Sequence, residues 1–365
     1  MASITQGALS ALRRMAARAI PGALLLVSST VPAAAQDRLQ VHGFLTQGYG
    51  SASDYPIYGI TTDGTGDYRT AALQGRIILT SSDHVVVQLS HQRLGTSNFM
   101  EFEDDVALDW LFYQKRFAGN SIRLGRVPMP RGLFNEVRDV GVILPFFRAS
   151  KAFYSEGVET LEGATVSRNF GFSDWSVDAT AFGGNFQLRA EVLDQNGLVA
   201  LQDDMRKAWG GQLMLNTPIP GVRVGGTYMD AEYDNSEGTP FTLWTASADA
   251  SFERTFLRGE YEVAETDGFT YTAYYGQAGV NAWKGLWVNG QAEFNTNSID
   301  IRGLGTLDFD AIRDYAVGLS YRFGYNLVLK AEWHDFEGYQ VGVPVNPMGP
   351  PVTNRYFVLG VAASF

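Results

Sequence analysis

Charged side chains gather in one stretch of this sequence in a way that would act on a charged solute. Between positions 126 and 156, Arg126, Arg131, Arg138, Arg148 and Lys151 stand against Glu136, Asp139 and Glu156, a balance of +2 in a chain whose net charge is −11. A guanidinium offers a planar fork of donors that fits carboxylate or phosphate, and an ammonium adds a compact point charge. The same stretch carries Leu133, Phe134, Val142, Ile143, Leu144, Phe146 and Phe147. A solvated loop should be polar, so these apolar residues need a surface to pack on. The blander alternative is local pairing, Arg138 with Glu136 or Asp139, that biases nothing.

Other chemistry is sparse. The four histidines, His42, His84, His91 and His334, have no Ser or Asp at a recognisable motif spacing, and neither G-x-S-x-G nor H-E-x-x-H occurs. Cysteine is absent, which removes disulfides and thiolate metal sites. Glu101, Glu103, Asp104 and Asp105, and the acidic pair in positions 63–67, could offer oxygen ligands to Ca²⁺. The second group lacks the spacing of a calcium loop, and solvated turns explain both more simply. No catalytic residue, cofactor or metal is expected.

The elements that must position the charged stretch are strands. Leu257, Gly259, Tyr261 and Val263 alternate with Arg258, Glu260 and Glu262; Leu327, Leu329, Ala331 and Trp333 alternate with Lys330, Glu332 and His334. Leu286, Val288, Ala292 and Phe294 oppose Asn289, Gln291, Glu293 and Asn295. This period of two, repeated in segments of about ten residues with charges on the polar face, describes a wall greasy outside and wet inside. Sixteen strands are expected, near 38–50, 70–80, 83–93, 105–117, 121–128, 158–169, 173–184, 205–217, 221–231, 241–253, 255–265, 270–283, 285–297, 312–323, 325–337 and 354–365. Tight turns, such as Ser81-Ser82 and Pro218-Ile219-Pro220, alternate with longer loops rich in Gly, Asp, Ser and Pro. The expected fold class is all-β, a transmembrane antiparallel β-barrel of 16 strands with both termini periplasmic.

The N-terminal segment carries Arg13, Arg14 and Arg18, then an apolar run from Ala19 to Val27, then Ala33-Ala34-Ala35. That pattern predicts a signal peptide over 1–35, cleaved after Ala35. The remaining 36–365 reads as one barrel with a net charge of −14, because all 39 acidic residues and all but three of the 28 basic ones follow the leader. So acidic a chain argues against nucleic acid as a partner.

The last strand ends Phe357, Leu359, Val361, Ala363 and Phe365 on one face, with an aromatic as the final residue. Such an ending resembles the C-terminal strand of Gram-negative outer-membrane proteins. Over its whole mature length the chain resembles an outer-membrane porin of the sixteen-stranded type. The resemblance implies a water-filled channel, a homotrimer in outer-membrane lipid and lipopolysaccharide, recognition of Phe365 by the barrel-assembly machinery, and a third loop folded inward. That loop is expected at 129–155, with Arg126, Arg131, Glu136, Arg138, Asp139, Arg148 and Lys151 at the pore constriction. Alternation turns Arg76, Arg123, Arg223, Arg258, Glu260, Glu262, Arg322 and Lys330 to the lumen wall, beside Glu293 and Glu332, since charge facing lipid costs roughly 2–4 kcal/mol at midplane. Trp283, Trp287, Tyr321, Phe323, Trp333 and Phe365 fall near strand ends, as interfacial girdles do. The expected function is passive diffusion of ions and small hydrophilic solutes, with a mild preference for anions. The alternatives are a substrate-specific channel that binds a carboxylate or phosphate solute and, from another class, a barrel enzyme or adhesin.

Overall fold

Alternation along the chain becomes a closed wall. The computed structural model describes residues 38–103, 105–155, 157–194, 197–301, 305–346 and 349–365. The expected leader, Asp104 and Glu156 lie outside the described residues. Sixteen strands follow in chain order: β1 Leu39–Ala52, β2 Thr65–Ile78, β3 Asp83–Leu94, β4 Ala107–Phe117, β5 Asn120–Pro128, β6 Thr160–Phe172, β7 Trp175–Asp194, β8 Gly197–Asn216, β9 Val222–Tyr233, β10 Pro240–Ser251, β11 Thr255–Thr266, β12 Phe269–Trp283, β13 Leu286–Ile301, β14 Gly305–Phe323, β15 Leu327–Gly338 and β16 Val352–Ser364. Each pairs antiparallel with its neighbours, and β1 closes the ring on β16 from Phe44 opposite Ser364 to Ala52 opposite Tyr356. Every strand of the ring thus has a paired neighbour on each side, and an open edge, which lipid would not tolerate, is avoided in the wall.

The short turns gather at one end of the wall and the long connections, 53–64, 95–106, 129–159 and 339–351, at the other. The pattern departs from expectation at β7–β8 and β13–β14, where strands run on in place of loops. Gly183-Gly184 reads as the end of β7, yet the strand continues to Asp194, and β8 takes up one extra residue between Met205 and Ala208. Similarly, β14 begins at Gly305 because a register shift between Asn295 and Thr296 absorbs one residue. A bulge keeps pairing where the two-residue period slips, and that slip hides the strand from the pattern.

Outward rows carry the apolar residues. Leu257, Val317, Leu319, Trp333, Trp209 and Trp244 are all exposed, while Glu260, Glu262, Asn289, Glu293, Lys330 and Glu332 are buried inside. The polar-inside rule fails over the loop-end half of β7 to β10. There Phe182, Phe186, Met205, Met229, Phe241 and Leu243 point inward and pack with Val127, Met129 and Val158. The chain entering and leaving segment 129–159 covers this patch, so the inner wall is dry and an apolar lining is stabilising. Trp287 also turns inward, its ring tilted against that of Phe256 at 5.9 Å and in the same row as Ser320, rather than joining an outer girdle.

Candidate functional site

Segment 129–155 leaves the wall at Pro128 and stays inside it. Met129 N donates to Glu159 O at 2.9 Å, so the two ends of the segment start paired. Gly132, at φ +58°, passes where a Cβ would lie 2.6 Å from Glu260 Oε1 on β11. Leu133 N donates to that carboxylate at 2.8 Å, Ser247 Oγ and Tyr275 Oη each at 2.6 Å, and Tyr154 Oη joins them. The chain then crosses to β1, where Gly141 abuts Thr46. At the tip, Phe147 lies over Gly48 and Gly360, register partners on β1 and β16. A Cβ on either glycine would fall within 3 Å of the Phe147 ring. Lys330 Nζ donates to Phe146 O, and Phe147 N donates to Glu332.

The charges of the segment meet opposite charge almost at once. Arg131 forms a two-bond pair with Glu262, 2.6 Å for each bond, and both side chains are nearly inaccessible. Its guanidinium also donates to Phe153 O and lies 5.0 Å from the Phe153 ring centroid. Arg138 donates to Tyr154 O at 2.6 Å and Ser155 O at 3.1 Å, and pairs with Glu159 at 3.3 Å. Glu136 accepts from Arg123 on β5 at 3.2 Å. Lys151 pairs with Glu191 on β7 at 3.4 Å. Burial holds the Lys151 ammonium down at about 8, and burial raises the Asp139 carboxyl to about 7, with Glu159 and Asp109 adding to it against Arg138 and Arg148.

Two expectations change here. Arg138 pairs with Glu159, not with the Glu136 or Asp139 of its own stretch. The net +2 of the segment is answered by Glu262, Glu159 and Glu191 from outside it, so it does not act as a free basic patch. Arg126 pairs with Glu162 at 3.4 Å, donates to Asp109 O at 2.9 Å and borders the cavity that Asp139 and Glu159 also line. Arg148 lies beside Tyr68 on β2, which raises its pKa although burial opposes this.

The wall residues reached by alternation do meet the segment. Glu260, Glu262, Lys330 and Arg123 contact it directly, and Arg258 lies 5.0 Å from the Phe134 ring centroid while pairing with Asp249. Arg223 pairs with Asp249 at 3.5 Å, Arg76 approaches His84 at 3.4 Å, and Arg322 N bonds Gly285 O near a short turn. Sequence reasoning gave no role to Glu159, Glu191 and Asp109, and read Glu103 only as a candidate Ca²⁺ ligand; Glu191 lies in a stretch read as a loop, Asp109 and Glu159 within the expected strands 105–117 and 158–169. It also missed that His334 bonds Asp314 at 3.0 Å, because that pair is joined by register across β14 and β15 and not by motif spacing. Asp67 and Glu103, from the two acidic groups, are held by Arg69, Arg93 and Arg189.

Space remains beside the segment. A cavity of about 60 Å³ is bordered by Thr70, Ser90, Gln92, Asp109, Asp139 and Glu159. A second, about 30 Å³, adjoins it at Asp109, Asp139 and Glu159 and reaches Glu136 and Arg138. A third, about 200 Å³, adjoins at Asn135 and Glu136 and is lined by Arg123, Arg131, Gln212 and Arg223. Polar groups line this string from the loop end toward the short-turn end.

A closed sixteen-stranded antiparallel barrel with a long segment seated on its inner wall is the porin-like outer-membrane channel fold. Solved structures share it. OmpF of Salmonella typhi, in a complex with daunomycin, aligns with a TM-score of 0.58 at 13% identity over 90% of this chain and 97% of that one. The anion-selective porin from Comamonas acidovorans aligns at 0.55 and 12% over 90% and 99%. The outer membrane channel DcaP of Acinetobacter baumannii aligns at 0.57 and 9% over 90% and 97%. No protein-family model and no curated protein sequence matches the chain.

Proposed function

We propose that the chain is an outer-membrane channel through which ions and small hydrophilic solutes diffuse passively, narrowed by segment 129–155. The string of three polar cavities between that segment and the wall carries this reading. Diffusion down a gradient needs no catalytic step, and no enzyme chemistry is proposed. Export by the 1–35 leader, both termini on the periplasmic side and assembly as a homotrimer belong to the same proposal.

The path changes sign along its length. Glu103, Asp109, Asp139 and Glu159 outnumber Arg126 and Arg189 around its outer part; Arg123, Arg131 and Arg223 outnumber Glu136 around its inner part. Charge focused by low-dielectric walls sets selectivity, and opposed zones in series give a mild bias. We assign the anion preference to Arg123 and Arg223 of the cavity of about 200 Å³, which are paired with Glu136 and Asp249 yet part-exposed, and not to the buried cations of the segment; an anion-selective porin among the structural neighbours is in keeping with this. Planar-bilayer recording of the purified protein tests the channel: discrete ohmic steps are expected, with liposomes swelling in small sugars. A folded, inserted protein that passes no current would sink the reading.

A further inference from the structure

A line of guanidinium groups crosses the inner wall near the short-turn end. Arg223 on β9 and Arg258 on β11 both approach Asp249 of β10, at 3.5 Å and 3.4 Å. Arg258 is held in place. Its Nη2 donates to Ser251 Oγ at 3.2 Å, and that hydroxyl donates to Asp249 at 2.9 Å. Its guanidinium lies 4.3 Å from the Phe256 ring centroid and 5.0 Å from that of Phe134 in segment 129–155. Glu260, the other carboxylate in its reach, already accepts from Ser247, Tyr275, Tyr154 and Leu133 N.

Arg322, next to the last residue of β14, extends this line without such a partner. Among the described residues, the charge within its reach is another cation, Arg258. The Nε atoms of Arg322 and Arg258 are both buried with no hydrogen-bond acceptor among those residues. The surroundings of Arg322 are apolar. Its register partner on β15 is Val328, which is fully buried and packs with Val142 and Ala362. Trp287, opposite Ser320 in the neighbouring inward row, tilts against Phe256. Arg322 itself is only half-buried, so a solute in the lumen can reach it.

Two cations in reach of each other beside aromatic and aliphatic groups repel more strongly than they would in water. An anion between them removes that repulsion, and the low-dielectric wall strengthens the attraction it feels. Each guanidinium presents a planar fork of donors that fits a pair of oxygens, which chloride does not offer. A carboxylate has oxygens enough for one fork. A tetrahedral oxyanion such as phosphate has enough for two forks that come from different strands.

We propose that Arg322 and Arg258 form a binding site for a small tetrahedral oxyanion of the phosphate type, on the short-turn side of segment 129–155. Arg322 takes the anion in its open fork; Arg258, fixed by Ser251 and two rings, supplies the second charge. As a stop on the solute path the site rests on the channel reading. Inorganic phosphate is the probe. Titrated calorimetrically into the folded protein in detergent, it is expected to bind saturably and more tightly than acetate. Arg322→Gln should weaken that binding about tenfold, the equivalent of one hydrogen bond between charged groups. Arg322→Lys keeps the charge, loses the fork and should weaken it as well. A folded Lys variant that binds as tightly as wild type would reduce the site to a diffuse positive field and overturn it. So would a wild type that takes up no phosphate, or that prefers acetate. In planar bilayers, phosphate is expected to lower the chloride current of the wild type and to spare that of Arg322→Gln. Saturable phosphate binding by a protein that passes no current overturns the channel and leaves the site standing. A conducting protein whose current and calorimetry both ignore phosphate loses the site and keeps the channel.

Discussion

Arg131 changes meaning once its surroundings are known. In the sequence it is one cation of a basic stretch; in the barrel it is spent on Glu262, with two 2.6 Å bonds and almost no contact with water. Removing one partner leaves the other charge buried, so Glu262→Gln should lower stability by about 3–5 kcal/mol in urea unfolding. Restoring an apolar contact with Arg131→Met, Glu262→Leu should recover most of that loss; if the double variant is as unstable as the single, the pair is not what holds the segment. Asp139 makes a pH prediction. Burial raises its carboxyl from 3.8 to about 7. A group whose folded pKa exceeds its unfolded one binds an extra proton on folding between those values. Stability from this group therefore rises as pH falls through about 7 and levels off near 4. Thermal unfolding should move up between about pH 8 and about pH 5, and Asp139→Asn should flatten the trend. The same slope in the Asn variant would place the titration elsewhere.

At the scale of elements, seating segment 129–155 depends on matched shapes in distant strands. Phe147 needs Gly48 and Gly360, which are hundreds of residues apart in sequence order yet adjacent in register. Gly360→Val should push the ring off the wall and make conductance larger and noisier; a current trace unchanged from wild type would show that the tip tolerates displacement. On the lipid side, Leu319→Arg should cost about 2–4 kcal/mol if it lies near midplane. Ser320→Arg, one residue on and facing inward, should not carry that membrane penalty, a contrast readable by refolding into lipid vesicles. Most strands were legible because one period, two, is shared by pleat and environment. The β7–β8 extension was not: Gly183-Gly184 reads as a strand end, and the single bulge of β8 near Lys207 breaks the period on the returning strand.

At the scale of the whole molecule, selectivity belongs to the path and not to one loop. Arg123→Glu with Arg223→Glu should shift the reversal potential toward cations, because both side chains line the cavity of about 200 Å³. A potential that does not move would return the bias to other groups. Arg138→Glu, by contrast, should act mainly by unseating the segment from Tyr154, Ser155 and Glu159. Alternation, terminal pattern and the apolar content of 129–155 were enough to determine a barrel, its strand count, the inward rows and a loop in need of a surface. Those properties follow from local periodicity and from where apolar groups can go. Which charge meets which was decided only by the closed barrel. Glu262, Glu191 and Glu332 reach segment 129–155 across the lumen, and such distances depend on register and closure, which no local spacing encodes. The basic stretch read first as a free cluster is, in the folded chain, a set of pairs that fasten the segment to its wall.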